Sequence, residues 1–232
     1  MGAGVTLGFD FVEKRSSTRR IVAIDKAVIG GWTGRDKAAL QHHIDELVKI
    51  GVKAPASTPL YYRVGVSRIV QAEAIEVIGE ESSGEVEYVM VKVDGRLWIG
   101  AGSDHTDRAA ERIGVTVAKQ LCDKPVARAL WPFDEVESHW DELILRSHIM
   151  EDGEMRLYQE GLLGSLLSPR ELLSNYRDDP DNLEEGALMF GGTCGAIGGV
   201  RPAPRFSFEL VDPVLERAIR HVYDIRSVPI VG

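Results

Sequence analysis

Two glutamates separated by one residue, Glu85 and Glu87, head the run Gly84-Glu-Val-Glu-Tyr-Val-Met-Val-Lys-Val. β-Branched and aromatic residues dominate the stretch beyond Glu87, as in a strand. Side chains alternate along a strand, so Glu85, Glu87, Val89, Val91 and Val93 share one face, with Val86, Tyr88 and Met90 on the other. Both faces turn apolar, which predicts a strand covered on both sides. Carboxylates at the mouth of such a strand need a counter-charge, because an uncompensated buried ion is strongly destabilising. A hard divalent cation answers that need, since magnesium is held by one or two carboxylates together with substrate oxygens. The plainer alternative is a solvated strand end.

Asp94-Gly95 after this run is a hairpin signal. The returning strand, Leu97 to Gly100, leads into Gly102-Ser-Asp-His-Thr-Asp-Arg108. Antiparallel pairing would carry Asp104 back to the end where Glu85 and Glu87 stand. Three carboxylates on one rim form an oxygen ligand set for magnesium, with manganese or calcium as alternatives. His105 reads as a loop histidine rather than a ligand.

Three further groups could join this rim. His43 and Glu46 lie three apart on a helix, hence on one face. A carboxylate beside an imidazole fixes its tautomer and raises its basicity, which prepares a general base; a surface pair is the commoner reason for such spacing. Phe190-Gly-Gly-Thr-Cys-Gly-Ala-Ile-Gly-Gly199 is a glycine loop after a strand, able to hold an anion on its backbone N–H groups. It is not a dinucleotide fingerprint, because Pro202 and Pro204 forbid the helix that must come next. Thr193 and the amides flanking it, including that of Gly192, read as holding a substrate carboxylate. Lys119 is either a cation reaching the same rim or a solvated helix lysine.

The elements that must position these residues are mostly short strands. Val5 to Val12 and Arg20 to Ile29 form an opening hairpin or meander, and further strands are expected at Leu60 to Val64, Ile75 to Ile78, Leu143 to Met150, Met155 to Gln159, Ala187 to Phe190, Phe206 to Val211 and Ile219 to Ile225. A helix is predicted from Asp36 to Gly51, with Leu40, Ile44, Leu47 and Val48 as its apolar stripe. Another starts at Ser168, where Pro169 and Glu171 complete a capping box. The fold class is α+β, mostly β, with a few peripheral helices.

Bulk properties narrow the rest. At 232 residues the chain can bury a sizeable core as a single domain. Its net charge of -9 argues against a nucleic-acid partner. Two distant cysteines, Cys122 and Cys194, form no metal or redox spacing and suit a reducing compartment. No apolar run is long enough to span a bilayer, and no signal peptide is evident, so a cytoplasmic location is expected.

Taken in order, these segments resemble the fumarylacetoacetate hydrolase superfamily. His43 to Glu46 corresponds to its His-x-x-Glu helix, Pro59 to Arg63 to its Pro-x-x-Phe-x-Lys-like strand and Glu85 to Glu87 to its Glu-x-Glu strand. Ser103 to Arg108, Lys119, Gln159 to Gly161, Ser168-Pro169 and Gly191 to Gly195 continue in the family's order. The chain is most similar to a divergent side branch carrying a domain of unknown function. The resemblance implies a mixed β-roll in which residues 1–30 are N-terminal strands, 31–215 the catalytic core and 216–232 a C-terminal extension. It implies metal ligation by Glu85, Glu87 and Asp104, and catalysis by His43, Glu46 and Lys119. Arg35, Arg63, Gln159, Gly192 and Thr193 would contact substrate. The activity so implied is hydrolysis of a C–C bond in a small β-diketo or 2-keto acid by way of a metal-bound enolate, in a homodimer. Decarboxylation, hydration or tautomerisation in the same site, or a catalytically silent ligand-binding scaffold, are the alternatives. The family's Asn before the metal-binding Asp is here Ser103, and Cys194 stands where its glycine loop has Pro.

Overall fold

The computed structural model describes residues 4–38, 40, 41, 45, 55, 57–177, 179 and 183–231. The chain opens with β1 (Val5–Glu13) and β2 (Ser16–Ile24), an antiparallel hairpin turning at Lys14-Arg15. The expected strand from Arg20 to Ile29 is divided at Asp25, whose N–H bonds Gly186 O at 2.8 Å. Beyond that point β3 (Lys26–Gly31) leaves its neighbour and joins a different part of the sheet.

Next come β4 (Leu60–Val64), β5 (Ile69–Val70), β6 (Ala74–Ile78), β7 (Ser82–Ser83), β8 (Val86–Val93), β9 (Arg96–Ser103) and β10 (Thr106–Asp107). The second half contributes β11 (Lys124–Pro125), β12 (Ala129–Pro132), β13 (Ile144–Glu151), β14 (Glu154–Leu162), β15 (Ala187–Thr193), β16 (Arg205–Asp212) and β17 (Arg217–Val228). The helices are short: α1 (Arg108–Glu111), α2 (Val115–Leu121), α3 (Phe133–Val136) and α4 (Pro169–Arg177). Much of the helix expected from Asp36 to Gly51 lies outside the described residues, but Lys37, Ala38, Leu40, Gln41 and Asp45 are helical. The Ser168 capping box forms as expected: Ser168 N–H and Oγ both reach Glu171 Oε2 at 2.7 Å.

Eight strands make the main sheet in the order β2-β1-β12-β9-β8-β15-β3-β4, and five make a second in the order β14-β13-β16-β17-β6. The central β8 is buried on both faces, as its sequence predicts. Val86, Tyr88 and Met90 enter the core shared with the second sheet, beside Phe206, Phe208 and Tyr223. Val89, Val91 and Val93 point into a separate core with Phe9, Ile24, Ile29, Leu130 and Phe190. That second core gathers residues from both ends of the eight-stranded sheet, which requires the sheet to curl around it. The mostly β, curled architecture agrees with the class expected from sequence. Among the described residues no helix is long and apolar enough to cross a membrane.

Candidate active site

The Asp94-Gly95 hairpin forms, with both residues at positive φ (52° and 75°). Its register sets Val86 opposite Ser103 and Glu87 opposite Gly102. One step beyond, Asp104 N–H donates to Glu85 O at 2.9 Å. The open end of the hairpin thus brings Glu85, Glu87 and Asp104 onto one rim. Glu87 and Asp104 are buried, and Glu85 is partly so.

The third side of the site comes from β15. Its pairing with β8 breaks between Phe190 and Thr193, at Gly191-Gly192. Glycine is required here. A Cβ on Gly191 would lie 1.9 Å from the Tyr88 ring, and Gly192 has φ +111°. The distortion turns Gly192 N–H onto Glu87 Oε2 at 2.7 Å. Gln159 then braces the loop. Its amide nitrogen donates to Thr193 Oγ1 (2.8 Å) and Cys194 O (2.6 Å), while its oxygen accepts from Val86 N–H (3.0 Å) and Ser147 Oγ (2.9 Å).

Two lysines close on Asp104. Lys119, from α2, bonds Oδ2, and Lys124, from β11, stands 3.1 Å from Oδ1 while also donating to His105 O. Arg108 sits 3.4 Å from Glu85 Oε2 and 3.0 Å from Glu111 Oε2. Burial acts to raise the Asp104 pKa, but the two lysines more than offset it and hold the carboxyl well below the usual range. Burial alone would lower Lys119; Asp104, Glu85 and Glu87 reverse this and raise it. Lys124 faces the same aspartate but is lowered, because burial and the neighbouring Lys119 charge outweigh Asp104. Glu87 is raised well above a normal glutamate, by burial first and by Asp104 second, against the opposing pull of Lys119 and Gly192 N–H. Two carboxylates on one rim are therefore driven apart in acidity.

Glu85, Glu87 and Lys119 open onto a cavity of about 590 Å³, whose other walls include Trp32, Tyr62, Leu166, Thr193 and Cys194. Lys119 Nζ lies 5.7 Å from the centre of the Tyr62 ring. Carboxylate oxygens are the donor type a hard divalent ion takes, and Glu85, Glu87 and Asp104 share the hairpin rim. As the side chains stand they form ion pairs rather than a cage. Among the described residues no three acidic, imidazole or thiolate groups are arranged to hold a metal. Glu85, Glu87 and Asp104, the expected ligands, stand on one hairpin rim, and both Asp104 oxygens are engaged by lysines.

The remaining expected contacts divide. Lys119 and Thr193 line the cavity. Gly192 lines it too, but its N–H serves Glu87 rather than standing free for substrate. Gln159 is buried, with both ends of its amide bonded within the protein, so it positions the loop instead of touching substrate. Arg63 is exposed and lines no wall of the cavity, since strand alternation turns its neighbour Tyr62 inward. Arg35 pairs with Asp141 (2.8 Å) and Glu171 (3.4 Å) and borders an adjoining cleft instead. His43 and Glu46 lie outside the described residues. His105 is buried between Tyr223 OH and Ser82 Oγ, each at 2.9 Å, and burial with nearby Lys124 pushes it down to about 3, so it is a neutral structural group. Lys124, Tyr62 and Trp32 are not legible as site residues from sequence: a lysine before a proline and aromatic residues near a loop carry no local signature of convergence.

A family model described as Protein of unknown function (DUF2848) matches residues 30–223. No curated protein matches the sequence. Among solved structures, the yeast protein ynq8, a fumarylacetoacetate hydrolase family protein, superposes with TM-score 0.61 at 16% identity, covering 90% of this chain and 95% of that one. A Burkholderia cenocepacia protein provisionally assigned as a fumarylpyruvate hydrolase gives 0.59 at 19% identity, covering 96% of each chain. The apo form of 2-keto-3-deoxy-D-arabinonate dehydratase gives 0.63 at 14%, covering 90% of this chain and 77% of that one.

Proposed function

From the premise that the chain belongs to the DUF2848 family and has the fold of fumarylacetoacetate hydrolases, we propose that it is a divalent-metal-dependent enzyme cleaving a C–C bond in a small β-diketo or 2-keto acid. The observation that carries this reading is buried Glu87, its pKa raised, facing Asp104 and Lys119 at the wall of a cavity large enough for such an acid. Glu85, Glu87 and Asp104 would hold the ion, with Lys119 giving up its hold on Asp104. Magnesium, or manganese or calcium in its place, would supply Lewis-acid polarisation of the keto-carboxylate.

The protein's own groups then have distinct tasks. Lys119, freed toward the cavity, offsets negative charge that develops on the substrate's keto oxygen. Lys124 stays on Asp104 and keeps it ionised. The Thr193 hydroxyl, held by Gln159, orients the substrate carboxylate at the glycine loop. As the family resemblance implies, His43 with Glu46 would take a proton from water as the oxygen adds to the distal carbonyl, a step worth roughly 10²–10⁴ in rate. The C–C bond then breaks, the electron pair stays with the keto-acid fragment as its enolate, and the proton held by His43 returns to that carbon.

Without the attacking water the same groups would support decarboxylation, hydration or tautomerisation. The dehydratase that shares this fold keeps that reading alive. A silent scaffold is disfavoured because burying Glu87 beside Asp104 at a cavity wall opposes its ionisation, a cost that a binding role would explain. The test is thermal melting and turnover with magnesium and manganese, using acylpyruvates and oxaloacetate. A metal-dependent rise in Tm with acylpyruvate cleavage supports hydrolysis. Turnover of oxaloacetate alone selects the lyase reading, and no response to either metal leaves the scaffold.

A further inference from the structure

Two cavities meet across one wall. The inner is the carboxylate cavity; the outer, about 680 Å³, is bordered by Arg35, Lys37, Pro59, Arg170 and Asn175. Trp32, Gly34 and Leu40 belong to both. Trp32 has φ +61°, a region that bulky side chains rarely enter.

Its surroundings force that conformation. On one side Gly31 pairs with Leu60 at the end of β3. On the other, Leu167 N–H bonds Thr33 O (2.8 Å), Gly34 bridges to Leu166 and Arg35 N–H bonds Ser165 O (2.9 Å). A strained backbone persists where neighbours over-determine it, and such positions gather at ligand sites. Packing fixes the segment from both flanks. A Cβ on Gly31 would meet the Tyr62 ring at 2.8 Å, and one on Gly192 would lie 1.9 Å from Thr33 Oγ1. The Trp32 segment thus rests directly on the glycine loop that bonds Glu87.

We propose that Trp32 is the specificity-determining residue of the site: its indole is the partition that stops a substrate chain at the end of the inner cavity, so that short-chain keto acids are taken and longer ones refused. The outer cleft is the space a longer chain would enter if the partition were removed. This rests on the reading of the inner cavity as a keto-acid site.

The test is calorimetric binding of straight-chain 2-keto acids, from pyruvate to 2-oxooctanoate, in saturating magnesium. Wild type is compared with Trp32→Gly and Trp32→Ala, with Tm as a fold control. Glycine removes both indole and backbone strain, whereas alanine removes the indole alone, so agreement between them assigns the effect to the side chain. The expected result is that wild-type affinity falls beyond a short chain length while both variants bind the long acids about tenfold tighter or more, a discrimination of the size pockets achieve for extra methylenes. The readout is the ratio of long-chain to pyruvate affinity within each protein. Identical length profiles in all three proteins overturn the partition and leave the site reading standing. Failure of every keto acid to bind wild type overturns the site reading, and the partition with it.

Discussion

The two ends of the β8–β9 hairpin are built on different principles. At the closed end, Asp94 and Gly95 turn the chain locally. Arg20 bonds the Asp94 carboxylate, and Glu185 accepts from Asp94 N–H (3.1 Å) and Gly95 N–H (2.6 Å), all in exposed positions. At the open end, Glu87, Asp104, Lys119 and Lys124 are buried together, drawn from four separate segments. Water screens the first end and leaves each contact worth little. The second is buried, so every charge there depends on its partner, and removing one member is felt by the rest.

Breaking the open end should have the larger effects. Glu87→Gln should reduce metal-dependent turnover by roughly 10²-fold or more, exceeding the loss typical of a group that only supports a ligand. The metal-free Tm should hold or rise, since a neutral amide carries no charge to desolvate. Unchanged kinetics in this variant would remove Glu87 from the chemistry.

His105 supplies the pH test. Its folded value of about 3 lies below the ordinary 6.5, so the unfolded chain takes up the proton first. Its contribution is fully present above pH 6.5 and is lost as pH falls toward 3, on the order of 5 kcal/mol at most. Urea melts of wild type and His105→Gln across that window should converge as the pH drops; parallel curves would show that His105 carries no such linkage. Lys124→Met should lower stability by about 3–5 kcal/mol in chemical denaturation, because it strips one of two partners from a buried carboxylate. Adding Asp104→Asn should recover part of that loss, and strict additivity of the two would sink the pairing argument.

At the closed end Gly95→Ala sharpens the contrast. No atom lies near the new Cβ, so the effect is backbone strain alone, about 1 kcal/mol or a Tm lower by roughly 2–4 °C, with turnover unaffected. A larger fall, or lost activity, would mean the two ends are coupled.

The contrast also marks what can be read from sequence. Asp94-Gly95 and the Ser168 capping box are local signals, each satisfied within a few residues, and both appear as expected. The alternation along β8 assigns both of its buried faces correctly, and hairpin pairing alone carries Asp104 back to Glu85. Arg63 is misplaced by sequence because the family-like pattern fixes the strand but not which of two neighbours faces inward; Tyr62 does. Gln159 resembles a substrate contact because a polar residue in a motif looks functional, whereas its amide is saturated by four bonds that only the folded chain assembles.

The sequence by itself determined the strands, the hairpin and the rim on which three carboxylates gather, because alternation and turn chemistry act between near neighbours. Only the tertiary structure decided that Asp104 is gripped by Lys119 and Lys124, that Gly192 N–H turns onto Glu87, and that Trp32 stands between two cavities. Those outcomes depend on burial and on charges from distant segments meeting in the fold, and neither leaves a trace in local order.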